Sequence, residues 1–477
     1  MAVVGGLSTF KGGHRFGRFQ GRPKPGIKEL PLPKKVLIPL RQRGFVRGDH
    51  QQHWAEPRCT VKVGDLVKTG QVIARDDEGL CSPVHASVSG KVLAVEQRDY
   101  PFGGQSQTVV IQSDGADTWV DLDSHAAEDY TQLDPEELGR ILYETGVADY
   151  GLAGFPTAFH SSPSDPGSVK YLVINAVDTE PYVEGNDALL GEEFDKFVTG
   201  VTLLRSALGG ALVHVGIGYN RAGLIEELQE RIPQEWCFVH PLLPKYPQSE
   251  NDVLVRTLLE LNVPSGGWAG DVGAVVCDPQ QAVAAYEAVI EGKPVVERVV
   301  TVAGSAIQGP ANVRVRIGTP LSDVVRLKQA GTTVLGGVMR GVAVDDLQRV
   351  SVLRNTEAIV SLKQPSKALN MMSELGLRRD SQTNVYLNFP GLARIADVGL
   401  HGLERACVHC GYCFDVCPQN LAPITIADFA RTEKLEDAQE LDMNACIECG
   451  LCTYVCPSKI PVMGLIQDGK RAALEEV

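Results

Sequence analysis

Residues 407–418, CVHCGYCFDVCP, and residues 446–457, CIECGLCTYVCP, repeat a single cysteine spacing about forty residues apart. Both stretches follow the pattern C-x2-C-x2-C-x3-C-P. Cysteines three residues apart on a short loop aim three thiolates at one point, and the glycines at 411 and 450 allow the tight backbone that this requires. The proline after the last cysteine turns the chain away. Each run therefore predicts a site lined by thiolates.

This spacing is that of bacterial ferredoxins, in which three cysteines of a run bind one iron–sulfur cluster and the fourth binds the other cluster. We assign one [4Fe–4S] cluster to Cys407, Cys410, Cys413 and Cys456, and the second to Cys446, Cys449, Cys452 and Cys417. Zinc is the alternative, since it also uses paired C-x2-C motifs, but trailing Cys-Pro pairs fit zinc poorly. Thiolates saturate every iron of such clusters, which favours electron transfer over catalysis.

Composition narrows the class of protein further. The chain has 477 residues, 44% of them hydrophobic, and a formal charge of −14. No apolar run approaches the roughly 20 residues that span a bilayer, and the N-terminus lacks the apolar core of a signal peptide. The negative charge argues against nucleic acid as a partner, so we expect membrane contact only through other proteins. The remaining four cysteines are scattered along the chain: Cys59, Cys81, Cys237 and Cys277. We predict that each of these side chains is buried and that the protein resides in a reducing compartment.

The N-terminal third reads as an arm followed by a small β domain. Residues 1–30 are rich in Gly, Arg, Lys and Pro and predict an extended arm. Residues 31–120 contain short alternating strands separated by Gly-Asp, Thr-Gly and Ser-Gly turns, which predicts a barrel or sandwich. The phrase VGDLVKTGQVIA…SPVHASVSGKVLAV resembles biotinyl and lipoyl carrier domains. Because the corresponding tip, DDEGLCSPVHA, has no lysine to modify, we interpret this domain as structural.

The rest of the chain divides into four segments. In residues 121–295, the stretch LDPEELGRILYETG predicts a helix ending at Gly146, and β-branched runs alternate with helical ones, which predicts a parallel sheet covered by helices. Residues 296–345 form a second β-rich block, and residues 346–395 a connecting segment. Residues 396–477 are predicted to be helical around the cysteine runs. We interpret His50 and His53 as parts of a solvated loop.

Short motifs along nearly the whole chain appear in the order seen in one family. They are FKGG, PVHASVSG, AGFPT, INAVDTEPY, YPQSEN, ERVVTVAG, GPANVRVRIGTP and the two cysteine runs. In this order the chain resembles the C subunit of Rnf complexes. The resemblance implies an α/β multidomain protein. Its parts would be an N-terminal β barrel-sandwich, a Rossmann-like flavin and nucleotide domain, an SLBB β-grasp domain and a C-terminal α-helical ferredoxin-like domain with two clusters.

The resemblance also implies a function. Rnf is a membrane-bound, ion-translocating oxidoreductase acting between NADH and ferredoxin, and its C subunit lies peripherally on the cytoplasmic face of the cell membrane. The expected cofactors are FMN and two [4Fe–4S] clusters. The expected partners are NADH, the ferredoxin-like B subunit, the membrane subunits and, indirectly, ferredoxin. A flavin accepts two electrons and releases them singly, which clusters alone do not do.

Carried over motif by motif, the resemblance assigns cofactor contacts to Gly151, Asn175, Asp178 and Glu250, and nicotinamide or adenine contacts to Phe155 and Glu180. Several positions depart from the family's pattern: Asp149 and Leu152 replace glycines, His160 a lysine, Asp178 a glutamate, Ser249 a glycine and Asn251 a glutamate, and residues 277–280, CDPQ, replace N-V-x-T.

These departures leave two hypotheses. In the first, the pocket holds FMN with adjusted contacts. In the second, the chain is a non-catalytic two-cluster adaptor that receives electrons from another donor protein. A soluble flavoprotein resembling cobalamin reductase is a third hypothesis, and the FKGG arm and the β domain favour the Rnf-like interpretation over it.

Overall fold

The computed structural model describes residues 2–4, 7–17, 19–45, 52–76, 81–122, 124, 132–147, 169–363 and 404–475. The strands in these ranges are β1 (Ala2–Val4), β2 (Leu7–Thr9), β3 (Lys24–Glu29), β4 (Lys35–Pro39), β5 (Gln42–Phe45), β6 (Gln52–Ala55), β7 (Arg58–Cys59), β8 (Leu66–Val67), β9 (Val72–Arg75), β10 (Val84–His85), β11 (Gly90–Asp99), β12 (Gln105–Ser113), β13 (Tyr171–Ala176), β14 (Leu212–Gly218), β15 (Cys237–Leu242), β16 (Ala274–Cys277), β17 (Glu297–Ala303), β18 (Ala311–Arg316), β19 (Gly331–Leu335), β20 (Val342–Val344) and β21 (Ala358–Lys363).

The helices in the same ranges are α1 (Pro135–Glu144), α2 (Gly185–Glu192), α3 (Phe194–Ala207), α4 (Ala222–Arg231), α5 (Asn251–Leu259), α6 (Pro279–Ile290), α7 (Leu321–Val324), α8 (Tyr412–Val416), α9 (Pro423–Arg431), α10 (Leu435–Glu440), α11 (Leu451–Val455) and α12 (Val462–Glu475). Two 3-10 helices cover Ala269–Val272 and Met443–Ala445. None of the described helices is long and apolar enough to cross a membrane.

The first domain is a sandwich of two small sheets, with strand orders β4-β12-β11-β8 and β10-β9-β7. Alternating aliphatic residues of both sheets are buried between them, among them Val36, Ile38, Ile73 and Ile111. The predicted barrel-sandwich is therefore confirmed. The central part of the tip that lacks a lysine, residues 77–80, lies outside the described residues.

The second domain is built on a sheet of order β1-β2-β15-β14-β13-β16, in which β13 to β16 are all parallel. The predicted helix is present as α1, capped by the Asp134 side chain and ended by Gly146 at a φ of +74°. Strands β14 and β15 lie on one side of β13, and β16 lies on the other. The strand order thus reverses between β13 and β16, and such a reversal opens a crevice at the carboxyl ends of the strands.

The third sheet has the order β20-β19-β21-β17-β18-β3. Its core contains Val300, Val313, Leu335 and Ile359. Strand β21 lies between β17 and β19, so residues 358–363 belong to this sheet, whereas the sequence predicted a connecting segment there. The boundary predicted at residue 345 was too early, because the last strand of the sheet, β21, begins 14 residues after the end of β20.

The N-terminal arm is extended, as predicted, but it is also integrated into two sheets. Strand β2 joins the parallel sheet beside β15, and β3 pairs in parallel with β18 in the third sheet. Strands of only three to six residues leave little periodicity in the sequence. The composition of the arm therefore predicted its extended backbone but not its partners.

The C-terminal domain is helical, as predicted, and its core contains Ile426, Ala438, Met443 and Ile466. The acid-rich segment between the cysteine runs forms α10. Among the four scattered cysteines, Cys81, Cys237 and Cys277 are buried as predicted, while Cys59 on the edge strand β7 is only half-buried. That prediction was wrong for Cys59 because an edge strand is covered on fewer sides.

Candidate cluster and cofactor sites

Four cysteines from both runs line one cavity in the C-terminal domain. Cys417 comes from the first run, and Cys446, Cys449 and Cys452 come from the second. The cavity encloses about 380 Å³ between atoms, including the part open to solvent, and its other walls are mainly apolar: Pro418, Leu421, Pro423, Ile447, Leu451, Met463 and Ile466. We call these four cysteines and their cavity the inner site. The structure thus brings together the set that the sequence assigned to the second cluster.

We call the other four cysteines, which the sequence assigns to one cluster, the outer site: Cys407, Cys410, Cys413 and Cys456. Cys410 is exposed and the other three are half-buried. Two large apolar side chains beside them also face solvent, Val408 with 66% and Phe414 with 48% of their surface exposed. At the inner site Cys417 and Cys446 are also half-buried, but Cys449 and Cys452 are buried, so the inner site is the less accessible to water.

Both loops are built in the same way. Gly411 and Gly450 begin α8 and α11 with φ angles of +78° and +77°. Two residues earlier, His409 and Glu448 also have positive φ angles, +51° and +53°. These left-handed residues fold each loop back on itself, and the His409 backbone N–H donates to Cys407 Sγ at 3.4 Å.

The four thiols of the inner site line a cavity. In the part of the chain that the structure describes, no group of three or more His, Cys, Asp or Glu side chains is arranged to bind a single metal ion. Zinc would need its sulfur ligands about 2.3 Å from one centre, whereas a [4Fe–4S] cluster takes four thiolates from the walls of a larger space.

A second candidate site lies in the crevice at the carboxyl ends of β13 and β16. Asn175, near the end of β13, donates through Nδ2 to the Ser249 carbonyl at 2.6 Å. Its Oδ1 is buried and has no hydrogen-bond partner among the described residues, and the same is true of Gln248 Oε1 in the neighbouring loop. Buried polar atoms normally have partners, so these two acceptors fit a ligand that supplies N–H or O–H donors, as FMN does.

Ser249, which replaces the family's glycine, is accommodated within the crevice loops. Its hydroxyl lies 2.6 Å from the hydroxyl of Thr179, and its backbone N–H also donates to the Thr179 oxygen at 3.2 Å. The added side chain is therefore engaged by a neighbour. This departure from the family's pattern leaves the carbonyl that holds Asn175 in place.

Two of the three acids predicted to contact flavin or nucleotide, Glu180 and Glu250, are held by a loop after β19. Glu180 Oε1 accepts from the Met339 backbone N–H at 2.7 Å, and Gly337 leaves room for it, because a Cβ there would lie 2.7 Å from the Glu180 side chain. Glu250 forms an ion pair with the largely buried Arg340. Burial raises the pKa of Glu180 to about 8. The sequence did not single out Met339 or Arg340, since no motif marks them.

Other acids at the crevice stabilise helix starts. Asp178 accepts from the Asp187 backbone N–H at 3.0 Å, in the first turn of α2. Burial raises the pKa of Asp178, and the charge of Asp187 raises it further. Asp278 accepts from the Gln281 N–H at 2.7 Å and caps α6, and Gln280 Oε1 accepts from the Val299 N–H at 2.9 Å. The altered CDPQ turn is thus a helix cap joined to β17.

Several predicted residues lie outside the described part of the chain. These are Gly151 and Phe155, together with the altered positions Asp149, Leu152 and His160, and the loop residue His50. For His53 only the backbone, within β6, is described. The roles of Gly151 and Phe155 remain predictions from the resemblance, and the loop at His50 remains a prediction from the sequence. The loop predicted at His53 was wrong, because the backbone there lies in β6.

The crevice and the inner site are joined by direct contacts. The Tyr246 hydroxyl, on a side chain only 1% exposed, donates to the Cys449 carbonyl at 2.7 Å. In the FKGG arm, the Gly13 N–H donates to the Val416 carbonyl at 2.8 Å, and a Cβ at Gly12 would lie 2.6 Å from the Cys417 carbonyl oxygen. The arm therefore packs against the loop of the inner site, which explains its paired glycines.

Comparison with known proteins identifies the domains. Residues 8–116 match the RnfC barrel sandwich hybrid domain, residues 142–303 the Nuo51 FMN-binding domain, and residues 406–460 the 4Fe-4S dicluster domain. A crystal structure of an NAD+-reducing [NiFe]-hydrogenase in the air-oxidized state matches with a TM-score of 0.46 and 14% identity over 74% of this chain and 69% of that chain, a similarity too weak to bear on fold or function.

Curated relatives cover most of the chain. The C subunit of a proton-translocating ferredoxin:NAD(+) oxidoreductase complex from Clostridium ljungdahlii is 30% identical over 91% of this chain and 87% of that protein. Its counterpart in the Na(+)-translocating complex from Acetobacterium woodii is 30% identical over 91% of this chain and 90% of that protein. The counterpart in an ion-translocating oxidoreductase complex from Vibrio cholerae is 29% identical over 92% of this chain but only 52% of that longer protein.

The resemblance predicted from the motifs is confirmed, and so are the two kinds of cofactor. With its barrel-sandwich, FMN-binding and [4Fe–4S] dicluster domains in this order, the chain belongs to the RnfC family, the C subunits of ion-translocating ferredoxin:NAD(+) oxidoreductase (Rnf) complexes.

Proposed function

We propose that this chain is the electron-input subunit of a membrane-bound, ion-translocating complex. It takes electrons from NADH at the crevice and passes them through the inner and then the outer site to a ferredoxin-like subunit. The single observation that carries this proposal is the continuity between the crevice and the inner site, through Tyr246 and the loop that holds Glu180 and Glu250. The relatives' names describe transfer from ferredoxin to NAD(+), and the same residues serve either direction.

The chain's own residues would hold the cofactors in distinct ways. At the crevice, the Asn175 and Gln248 oxygens, which have no partner among the described residues, would accept hydrogen bonds from FMN, and Gly151 would let the backbone approach it. Bound FMN would supply the exchange between paired and single electrons. Phe155 and Glu180 would contact the nicotinamide or adenine of NADH, and the eight cysteines would bind two [4Fe–4S] clusters.

The difference in burial supports this order of the two sites. The inner site is walled by apolar side chains and touches the crevice loops, whereas the outer site presents Cys410 to solvent. Electron tunnelling slows steeply with distance, so an acceptor protein needs an exposed donor. The outer site therefore suits delivery to the ferredoxin-like partner, and the inner site suits transfer within the chain.

The finer divisions of the fold and the setting of the chain are part of this proposal. The third sheet would be an SLBB β-grasp domain, and the helical domain would be ferredoxin-like. The domains would cover residues 31–120, 121–295, from 296 to the end of the third sheet, and 396–477. The chain would sit on the cytoplasmic face of the cell membrane, attached through the membrane subunits.

The test is cofactor analysis of the full chain purified without oxygen. We expect about eight irons per chain from two clusters and one FMN for every eight irons. Added NADH should then bleach the flavin absorbance, because the donor reaches the crevice.

Full iron without flavin, even after FMN is added, would contradict the proposal. In that case the chain would be an adaptor whose donor lies on another protein. Iron well below eight with both cysteine runs intact would contradict the assignment of two clusters.

A further inference from the structure

A cation from the second domain contacts the loop of the inner site. Arg256 lies on α5, which starts directly after Glu250 at the crevice. Its Nη1 donates to Gln419 Oε1 and its Nη2 to the Pro418 carbonyl, each at 2.6 Å. Pro418 and Gln419 follow Cys417 in the chain, and all three line the inner cavity. The guanidinium is thus bound to the turn that presents one of the four thiols.

The charge of Arg256 is not balanced by an ion pair within the described residues. Both of its hydrogen-bond acceptors are neutral. The carboxylate that acts on it most is Asp252, one turn earlier on α5, and it forms no ion pair with Arg256. A half-buried cation without a close counter-ion is costly, so the site favours an anion on the cavity side.

Lys470 offers an instructive contrast at the same site. Its Nζ donates to the Cys446 carbonyl at 2.7 Å and to Glu448 Oε1 at 3.0 Å. Its charge is therefore balanced by a carboxylate beside the cavity. Of these two cations, Arg256 is the one without a carboxylate partner among the described residues, so its charge can stabilise an anion bound in the cavity.

A cluster held by four thiolates is an anion, and it becomes more negative when it accepts an electron. Net charge and hydrogen bonding around a cluster set its reduction potential. We propose that Arg256 is a positioning residue of the inner cluster, which holds the Cys417 turn and raises the cluster's reduction potential by stabilising the reduced form. This inference rests on the proposed function, in that the inner site is taken to hold a [4Fe–4S] cluster.

The location of α5 gives this charge a role in electron entry. Arg256 is six residues beyond Glu250, which corresponds to roughly 9 Å along a helix that rises about 1.5 Å per residue. The helix thus connects the crevice to the turn of the inner cluster. A higher potential at the inner cluster makes it the favoured first acceptor of electrons leaving the crevice.

The test is a redox titration of the anaerobically purified full chain, followed by electron paramagnetic resonance. The inner signal is identified as the one missing from Cys449→Ala protein. Arg256→Gln keeps hydrogen-bond donors but removes the charge, and it should lower the midpoint potential of the inner cluster while the outer one stays unchanged. Arg256→Lys should stay close to the unaltered chain. Arg231→Gln, which removes an exposed cation at the end of α4 that pairs with Asp195 on α3, should shift neither potential.

An unchanged inner potential in Arg256→Gln protein with full iron would overturn the inference. If Arg256→Gln loses the inner cluster, Arg256→Lys decides the question: an unaltered potential supports the role of the charge, and a lowered potential contradicts it. An unaltered chain that lacks two cluster signals would instead overturn the proposed function, before any variant is compared.

Discussion

The inner and outer sites share one sequence pattern and one loop geometry, yet their surroundings differ. Gly411 and Gly450 have nearly the same φ angle, but a Cβ at Gly411 would meet no atom within 4 Å, while one at Gly450 would lie 2.8 Å from the Met339 carbonyl oxygen. Cys449 and Cys452 are buried, and Cys410 is exposed. The repeat thus determines the ligands, and the rest of the chain determines the environment of each site.

This difference teaches that identical ligand spacing does not make two sites equivalent. The potential of an iron–sulfur cluster varies with solvent exposure, net charge and hydrogen bonds. The inner site receives Tyr246, Arg256, the FKGG arm and the Met339 loop from other domains. Each of the following changes tests whether these contacts make the inner site behave differently from the outer site.

The largest effect is expected from removing one cysteine from each site. Cys449→Ala should lose about four of eight irons and abolish reduction of the outer cluster by NADH, because the path from the crevice is cut. Cys410→Ala should lose the same amount of iron but leave reduction of the inner cluster intact. Iron analysis and absorbance changes after addition of NADH measure both. Continued reduction of the outer cluster in Cys449→Ala protein would refute the inner-to-outer order.

The next largest effect is expected from alanine at Gly411 and Gly450, the equivalent glycines of the two cysteine loops. Both substitutions place a side chain in the left-handed region, which costs about 1–2 kcal/mol. Gly450→Ala should cost a further 1–3 kcal/mol or so, because its Cβ meets the Met339 backbone. Anaerobic denaturant unfolding of the cluster-loaded chain measures both free energies. Equal losses at the two positions would show that the Met339 contact does not constrain the inner loop.

A smaller effect is expected from pH at the Met339 loop. The pKa of Glu180 is raised from 4.5 to about 8 by burial, so the folded state prefers the protonated carboxyl. Its contribution to stability is present below pH 4.5 and is lost as pH rises toward 8. Between pH 6 and pH 8 the loss is at most about 2–3 kcal/mol.

Glu180→Gln keeps an oxygen for the Met339 N–H and removes the titration, so its stability should depend less on pH than that of the unaltered chain. The free energy of unfolding across this range measures the difference. The same substitution at Glu404, near the outer site and paired with Arg431, is the control and should leave the pH profile unchanged. Parallel profiles for Glu180→Gln and the unaltered chain would mean that Glu180 is not the titrating group.

The smallest effect is expected from Tyr246→Phe. The change removes one hydrogen bond to the Cys449 carbonyl and should cost about 1 kcal/mol, or up to about 3 if the buried carbonyl finds no other donor. Tyr412→Phe, in the first cysteine run, is the control, since the structure gives its hydroxyl no partner among the described residues. Unfolding free energies compare the two variants, and equal losses would show that the Tyr246 hydroxyl does not anchor the inner loop.

The sequence predicted the features that depend on repeated motifs or on alternating apolar and polar residues. The crossed set of Cys417 with Cys446, Cys449 and Cys452 follows from the spacing of two runs and appears around one cavity. The helix that ends at Gly146 and the parallel strands follow from local patterns.

Contacts between distant segments were not predictable in this way. Glu180 meets Met339 across 159 positions of sequence, and Glu250 meets Arg340 across 90. The first contact uses a backbone N–H that every residue except proline carries, so no side chain signals it. Arg256 likewise reaches a carbonyl and an amide 162 and 163 positions away, and neither acceptor belongs to a charged pattern that the sequence could reveal.

The most direct measurement is rapid-freeze electron paramagnetic resonance of the anaerobic full chain, mixed with NADH and stopped at increasing times. Signals are assigned to the inner and outer clusters with the Cys449→Ala and Cys410→Ala proteins. The inner cluster is predicted to be reduced first and the outer cluster after it. Reduction of the outer cluster first, or of neither cluster in a chain that contains its full FMN and iron, would contradict an electron path that enters at the crevice and passes through the inner site.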